Sequence, residues 1–245
     1  MTDLLGLTFS DHDPSAVSNW CLQRPANQPF TYIVTPNADH LSRLSDDPPL
    51  LKIYRSAEFC LLDSRFLAHL ARLLRLPGPP VCTGADLITT LLTEINNAGR
   101  RMTVVGLSAS AMVRLRQKFP AILFAHYNPP MGFINHPHER AAAISFCLRH
   151  PADFVCLAVG SPQQEILAAA LASTQGVRGI GLCIGAALEF SAGTKKRAPL
   201  WMQRAGLEWA WRLLIEPRRL ARRYLRDDPA VILALCRAAL RRTRR

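Results

Sequence analysis

The chain has 245 residues, 49% of them hydrophobic, and carries 30 Lys+Arg against 18 Asp+Glu for a formal net charge of +12. That length and apolar content suit one sizeable core, with or without an appendage, and exclude an intrinsically disordered chain. No run approaches the ~20 apolar residues of a bilayer-spanning helix, and the opening MTDLLGLTFSDHD is too acidic and too poor in apolar residues for a signal peptide.

Residues 1–29 are weakly patterned, with prolines at 14, 25 and 29, and predict loops with one short helix or strand. The apolar run FTYIVTPN follows and ends in Thr35-Pro36-Asn37, then a helix through His40 to Leu44. A second apolar run, EFCLLD, ends at Asp63. Helices are expected from there to Leu76 and over Ala85–Ala98, separated by the break PGPP. After Arg101 the rhythm is regular. MTVVGL, AILFAHY, DFVCLAV and VRGIGLCIG read as strands, and SASAMVRLRQKF, HERAAAISFCLRH and SPQQEILAAALAS as helices. This alternation predicts the α/β class: a mostly parallel, Rossmann-like sheet with helices on both faces.

Asn37, Asp63, Asn128, Gly132, the Gly160–Glu165 turn and Gly185 all follow the carboxyl end of a predicted strand. In open parallel sheets that edge binds ligands. Asp63 ends CLLD, where partial desolvation suits a general base; the other role for an aspartate there is a cap on the next helix. In GSPQQE, Ser161 fits an N-cap, Pro162 the first helical position and Gln164 a capping box. The same helix N-terminus can face an anion such as a diphosphate. Thr35 and Asn37 offer a hydroxyl and an amide to sugar hydroxyls, or simply form a turn. GLSAS (106–110) is not a dinucleotide fingerprint and no Walker lysine is present, so no cofactor is expected. The seven cysteines are scattered and mostly within apolar runs, as for reduced buried thiols in a cytosolic protein. His136 and His138 stand beside a proline-rich loop and read as a polar turn, so no metal site is expected either.

The last residues differ from the rest. Residues 195–245 hold 15 Lys+Arg and 4 Asp+Glu, a net of +11, which leaves +1 for residues 1–194. We therefore expect a catalytic body (1–194) and a basic helical appendage (195–245). Leu207 to Glu216 suits one amphipathic helix, broken by Pro217; Asp228 can cap a second, with Pro229 at its first position. Tryptophans and leucines interleaved with arginines suit an anionic membrane surface. A helical hairpin packed on the body with a solvated basic face is the other reading. Arg212, Arg219 and Arg222 would share a face on a continuous helix and can bind phosphate.

Several stretches together resemble one family, the WecG/TagA/CpsF glycosyltransferases, from about Phe30 to Tyr224. They are VTPNADHL (34–41), Asp63, TGADL (83–87), PPMGF (129–133), VGSPQQE (159–165), GLCIGAALEFSAGTKKRAP (181–199) and GLEWAWRLLIEPRRLARRYL (206–225). The resemblance implies inverting, metal-independent transfer from a UDP-sugar donor to a polyprenyl-diphosphate-linked saccharide acceptor in surface-polysaccharide synthesis. It implies Asp63 as the base and Thr35, Asn37, Gln164, Arg212, Arg219 and Arg222 as substrate contacts. Nucleotide contacts are expected at Gly132, Phe133, Gly160, Ser161, Gly185 and Glu189. An appendage docked on the membrane from the cytoplasmic side would complete the site. This chain departs from the family at Ser64, where a glycine is usual, at Val81-Cys82, where an arginine is usual nearby, and at Glu189, where an aspartate is usual. Two other classes compete: a nucleic-acid-binding protein with a basic tail, and a catalytically silent membrane scaffold. The tryptophan-rich tail speaks against nucleic acid as partner. Self-association is left open by the sequence.

Overall fold

The computed structural model describes residues 1–25, 27–217 and 228–243. A short antiparallel hairpin, β1 (Thr2–Leu4) and β2 (Leu7–Phe9), opens the chain. Helix α1 (Pro14–Gln23) follows, capped by the Asp13 side chain on the Ala16 amide. The sequence pattern predicted less order here, because three-residue strands are too short to show alternation; Leu4, Leu7 and Phe9 are nonetheless buried.

The body is one six-stranded, wholly parallel sheet in the order β4-β3-β8-β7-β5-β6. Its strands are β3 (Thr31–Val34), β4 (Phe59–Cys60), β5 (Arg101–Gly106), β6 (Leu123–Tyr127), β7 (Phe154–Ala158) and β8 (Ile180–Cys183). Alternate residues feed two cores. Tyr32, Val34, Val155 and Leu157 enter one, and Ile33, Phe154 and Cys156 the other, as the period of two requires. One face is covered by α2 (Ala38–Leu44), α3 (Pro48–Arg55), α4 (Arg65–Leu73), α7 (Pro137–Arg149) and α8 (Gln163–Ala172). The other is covered by α1, α5 (Gly84–Asn97), α6 (Ala109–Lys118) and α9 (Ala187–Ser191). The expected α/β architecture with helices on both faces is therefore present.

Three local features place the site. The chain past β4 continues extended: Leu61 and Leu62 are fully buried, Leu62 bridges Val81, and the Asp63 amide donates to the Pro36 carbonyl at 2.9 Å. This brings Asp63 beside Asn37. Next, α5 starts close against the strand ends: a Cβ on Gly84 would stand 3.2 Å from Thr35 Oγ1 and 3.3 Å from the Ile184 carbonyl. A side chain at this position would push the strand ends and the start of α5 apart by a few tenths of an ångström, and with them Asp86 from the rim. Finally, Gly206 at φ +73 turns the chain between α10 (Leu200–Arg204) and α11 (Glu208–Ile215), closely against His69 and Phe66 of α4.

The last helix, α12 (Asp228–Thr243), packs on α2 and puts Val231 and Leu235 into the buried core. Part of the apolar run that could have faced a membrane is thus used inside the protein, while Leu233 and Leu240 remain exposed. No helix among the described residues is long and apolar enough to cross a membrane.

Candidate active site

The strand order explains which rim residues meet. From β4 to β7 the four strands β4, β3, β8 and β7 are neighbours. Their carboxyl ends deliver Asp63, then Thr35 and Asn37, then Gly185, then Gly160 and Ser161, to one polar cavity of about 300 Å³. Gln164, Arg43, Lys195, Arg197, Glu208 and Arg212 also line it. A second cavity of about 340 Å³ adjoins it, with Phe66, Trp209 and Ile232 in its wall. Asn37, Asp63, Glu208 and Arg212 line both cavities. Each volume suits a small-ligand site, and Asp63 stands where they meet.

Asp63 is half-buried. It does not cap α4: Ser64 does, its side chain accepting from the Leu67 amide at 3.2 Å. The carboxylate is thereby left for the cavity. Burial raises its pKa from 3.8 to about 7; Arg212 opposes the rise, Glu208 and Asp86 reinforce it, and Arg197 opposes it weakly. A carboxylate half-ionised near neutral pH is a suitable acceptor for a hydroxyl proton.

Arg212 reaches the site from α11 and lies over the Phe190 ring, 6.0 Å from its centroid. The helix is held by four alternating charges. Arg65 pairs with Asp86 at 2.6 Å and Glu208 at 3.1 Å; Arg197 pairs with Asp86 at 2.8 Å and Glu208 at 3.4 Å. Arg197 also donates to Thr83 Oγ1 at 3.3 Å. The Asp86 carboxyl is held below its ordinary pKa: burial pushes it up, and Arg197, Thr83 and Arg65 together prevail.

Under the opposite wall lies a buried polar group. Gln164 Oε1 accepts from the Gly185 amide at 3.0 Å, and Gln164 Nε2 donates to Glu165 Oε1 at 2.8 Å. Tyr54 donates to the same Glu165 oxygen at 2.9 Å. Burial raises the Glu165 pKa, which favours its protonated form. The capping box expected at GSPQQE is absent. Ser161-Pro162 is a cis peptide, α8 begins at Gln163 and no side chain caps it. The Gln164 amide donates to the Gly160 carbonyl at 3.0 Å, so that part of the helix N-terminus does not face the cavity as an empty donor. The reason is burial: Gln164 and Glu165 turn into the core instead of back over the helix end.

Other expected site residues fall as follows. Thr35 is buried and donates to the Cys183 carbonyl at 3.0 Å, so its hydroxyl proton is committed. Asn37 caps α2 by accepting from the His40 amide. Ser161 accepts from Arg43 Nη2 at 3.3 Å. Gly132 and Phe133 are not brought to the cavity. They follow β6, separated from β7 by β5, about 10 Å at ordinary strand spacing, and the Phe133 side chain is inside the core. Glu189 is also absent from the cavity wall and pairs with Lys195 at 2.6 Å. Arg219 and Arg222 lie outside the described residues. Sequence reasoning passed over Arg43, Lys195, Arg197, Glu208, Arg65 and Asp86 as site residues. The signal for Asp86, Lys195, Arg197 and Glu208 was their presence inside the TGADL, GTKKRAP and GLEWAW stretches; nothing local marked Arg43 beyond its i,i+4 partner Asp39.

Six of the seven cysteines are buried and none forms a disulfide. Burial raises the thiols of Cys21, Cys82 and Cys147 to about 12, so they are inert at neutral pH. Among the described residues no three His, Cys, Asp or Glu side chains stand close enough to hold a metal ion.

A family model described as the glycosyl transferase WecG/TagA/CpsF family matches residues 2–245. A relative from Bacillus spizizenii is 28% identical over 192 residues, covering 77% of this chain and 72% of its own length. It is named an N-acetylglucosaminyldiphosphoundecaprenol N-acetyl-beta-D-mannosaminyltransferase. The chain belongs to the WecG/TagA/CpsF family of glycosyltransferases.

Proposed function

We propose that this glycosyltransferase moves an N-acetylhexosamine-type or hexose unit from a UDP-sugar to a polyprenyl-diphosphate-linked saccharide, with inversion at the anomeric carbon. The observation that carries the reading is the position of Asp63, together with Arg212, on the wall common to two cavities. The polar cavity, with Arg43, Lys195 and Arg212, suits the donor diphosphate. The cavity walled by Phe66, Trp209 and Ile232 suits an acceptor sugar that carries a lipid. The relative's name, which specifies an undecaprenol-diphosphate acceptor and an N-acetylmannosaminyl group, supports the same substrate classes here.

In this mechanism Asp63 takes the proton from the acceptor hydroxyl as its oxygen attacks the anomeric carbon. The carbon–oxygen bond to UDP breaks on the opposite face, and Arg212 meets the charge developing on the diphosphate. Fixed cations fill this role with no metal in the scheme. The carboxylates nearest Asp63, Asp86 and Glu208, are already paired with Arg65 and Arg197.

The test is UDP release from a panel of UDP-sugars with a short-chain polyprenyl-diphosphate-linked N-acetylglucosamine, in EDTA. Release with one donor is expected. Silence across the panel with folded protein and vesicles present would refute the reading.

A lipid-linked acceptor stays in its bilayer, so the enzyme must meet the surface. Helices α10 and α11 leave Leu200, Trp201, Leu214 and Ile215 more than half exposed, on a segment rich in Lys and Arg. We assign this segment to contact with anionic membrane on the cytoplasmic side. Changing Trp201, Leu214 and Ile215 together to Ser should lower sedimentation with phosphatidylglycerol vesicles at least tenfold. It should leave the melting temperature within about 2 °C, because these side chains contribute little burial. Unchanged sedimentation would remove the assignment.

A further inference from the structure

The four-charge ring lies beside the reacting groups, yet only part of it faces the cavities. Arg65 comes from the start of α4, Asp86 from the first turn of α5, Arg197 from the segment before α10 and Glu208 from the start of α11. Its four side chains are each between 21% and 26% exposed. Two cations and two anions alternate, so the ring is neutral as a whole and each charge has two partners. Such closed networks hold geometry better than isolated surface pairs. The ring crosses the chain: positions 65 and 86 belong to the body, 197 and 208 to the appendage. Helix α11 has no buried residue of its own. Besides the ring, α11 meets the body through the Trp209 ring edge-on to Phe66 at 6.3 Å, the close approach of Gly206 to α4 and Arg212 over the Phe190 ring of α9. Arg212 stands one helical turn after Glu208, so whatever fixes Glu208 fixes Arg212.

We infer that the Arg65–Asp86–Arg197–Glu208 ring is a latch that seats α11, with Arg197 and Glu208 acting as positioning residues that hold Arg212 against Asp63. The inference rests on the glycosyl-transfer reading above only for its kinetic consequence; the latch itself is a structural statement.

The charged groups facing Asp63 give the ring a signature. They are Arg212 and Glu208 from α11, Asp86 from α5 and Arg197 from the segment before α10, with Arg65 of α4 adjoining. Glu208→Gln removes a negative neighbour, and Arg197→Gln removes a positive one. Both open the latch. Both should therefore lower kcat, by about 10-fold to 100-fold, and because the withdrawn Arg212 weighs more on Asp63 than Glu208 does, the acidic limb of kcat/KM should move to higher pH in both, and further in Arg197→Gln, which also removes a cation. A merely structural role would lower the active fraction and leave the limb in place. The double variant should be no worse than the poorer single, since both break one ring.

Two measurements decide it in the full-length protein: these pH profiles, and amide hydrogen exchange of residues 208–215. Exchange in α11 at least tenfold faster in both variants, with both limbs displaced to higher pH, is the expected result. Exchange within twofold of the unchanged protein overturns the latch, whatever the activity. Faster exchange with kcat within twofold and unmoved limbs, or with the Glu208→Gln limb moved to lower pH, overturns the positioning role. If no donor supports turnover in the unchanged protein, the glycosyl-transfer reading fails, and exchange alone passes judgement on the latch.

Discussion

Asp63→Asn should lower kcat by about 10²-fold to 10⁴-fold, the range for loss of a general base, while donor binding stays within about threefold. The amide keeps the size and hydrogen-bonding ends of the carboxyl but cannot take the acceptor's proton. The donor is expected to be held chiefly by Arg43, Lys195 and Arg212, which the substitution leaves in place. Stability provides a control with a definite sign. In the unfolded chain Asp63 titrates near 3.8 and in the fold near 7, because burial disfavours its charge. Between those values the folded protein holds a proton that the unfolded chain has released. Folding stability from this group therefore falls as pH rises from about 4 to about 7 and stays low above. Asparagine cannot ionise, so at pH 8 the variant should melt no lower than the unchanged protein. An inactive variant that also melts many degrees lower would mean that Asp63 was needed for folding, and the loss of turnover would not then identify a base. The binding arm is isothermal calorimetry with the donor found in the UDP-sugar panel.

The second large effect is expected at Arg212. Arg212→Ala should reduce kcat by about 10²-fold to 10³-fold, comparable to loss of one fixed donor at a developing negative charge. It should also move the pH dependence. Arg212 is the strongest influence holding the Asp63 pKa down; without it burial, Glu208 and Asp86 act with only weak opposition from Arg197. The acidic limb of kcat/KM should shift to higher pH. Arg212→Lys should recover part of the charge effect on the limb but little of kcat, since an ammonium lacks the bidentate fork that matches a diphosphate.

Local signals carried some of this and could not carry the rest. The parallel sheet was legible because β3, β5, β7 and β8 are apolar runs bounded by turn residues, alternating after Arg101 with helical periods. Asp63 was legible as a polar residue ending such a run. The capping alternative is removed by Ser64, whose hydroxyl takes the cap. Gly132 was placed on the rim by its strand-end position, which says nothing of strand order. β6 proved to be the far edge of the sheet, and the loop after it folds back into the core. The ring was beyond reach, because its members stand at 65, 86, 197 and 208 and meet only through tertiary packing. Arg197 counted as one more cation of a strongly basic tail, yet its charge is taken up by Asp86 and Glu208. Helix α12 shows the same limit. An amphipathic stripe looks alike whether it faces a bilayer or a protein core, and Val231 and Leu235 face the core.

The account turns on Asp63 being a base tuned between burial and Arg212. The measurement closest to that claim is kcat/KM against pH from 5 to 9 for the unchanged protein and for Arg212→Ala, with the donor identified by UDP release. We predict a tenfold fall per pH unit below about 7 in the unchanged protein, and the same limb displaced upward in the variant. A profile flat down to pH 5, or a limb that Arg212→Ala leaves in place, would contradict it.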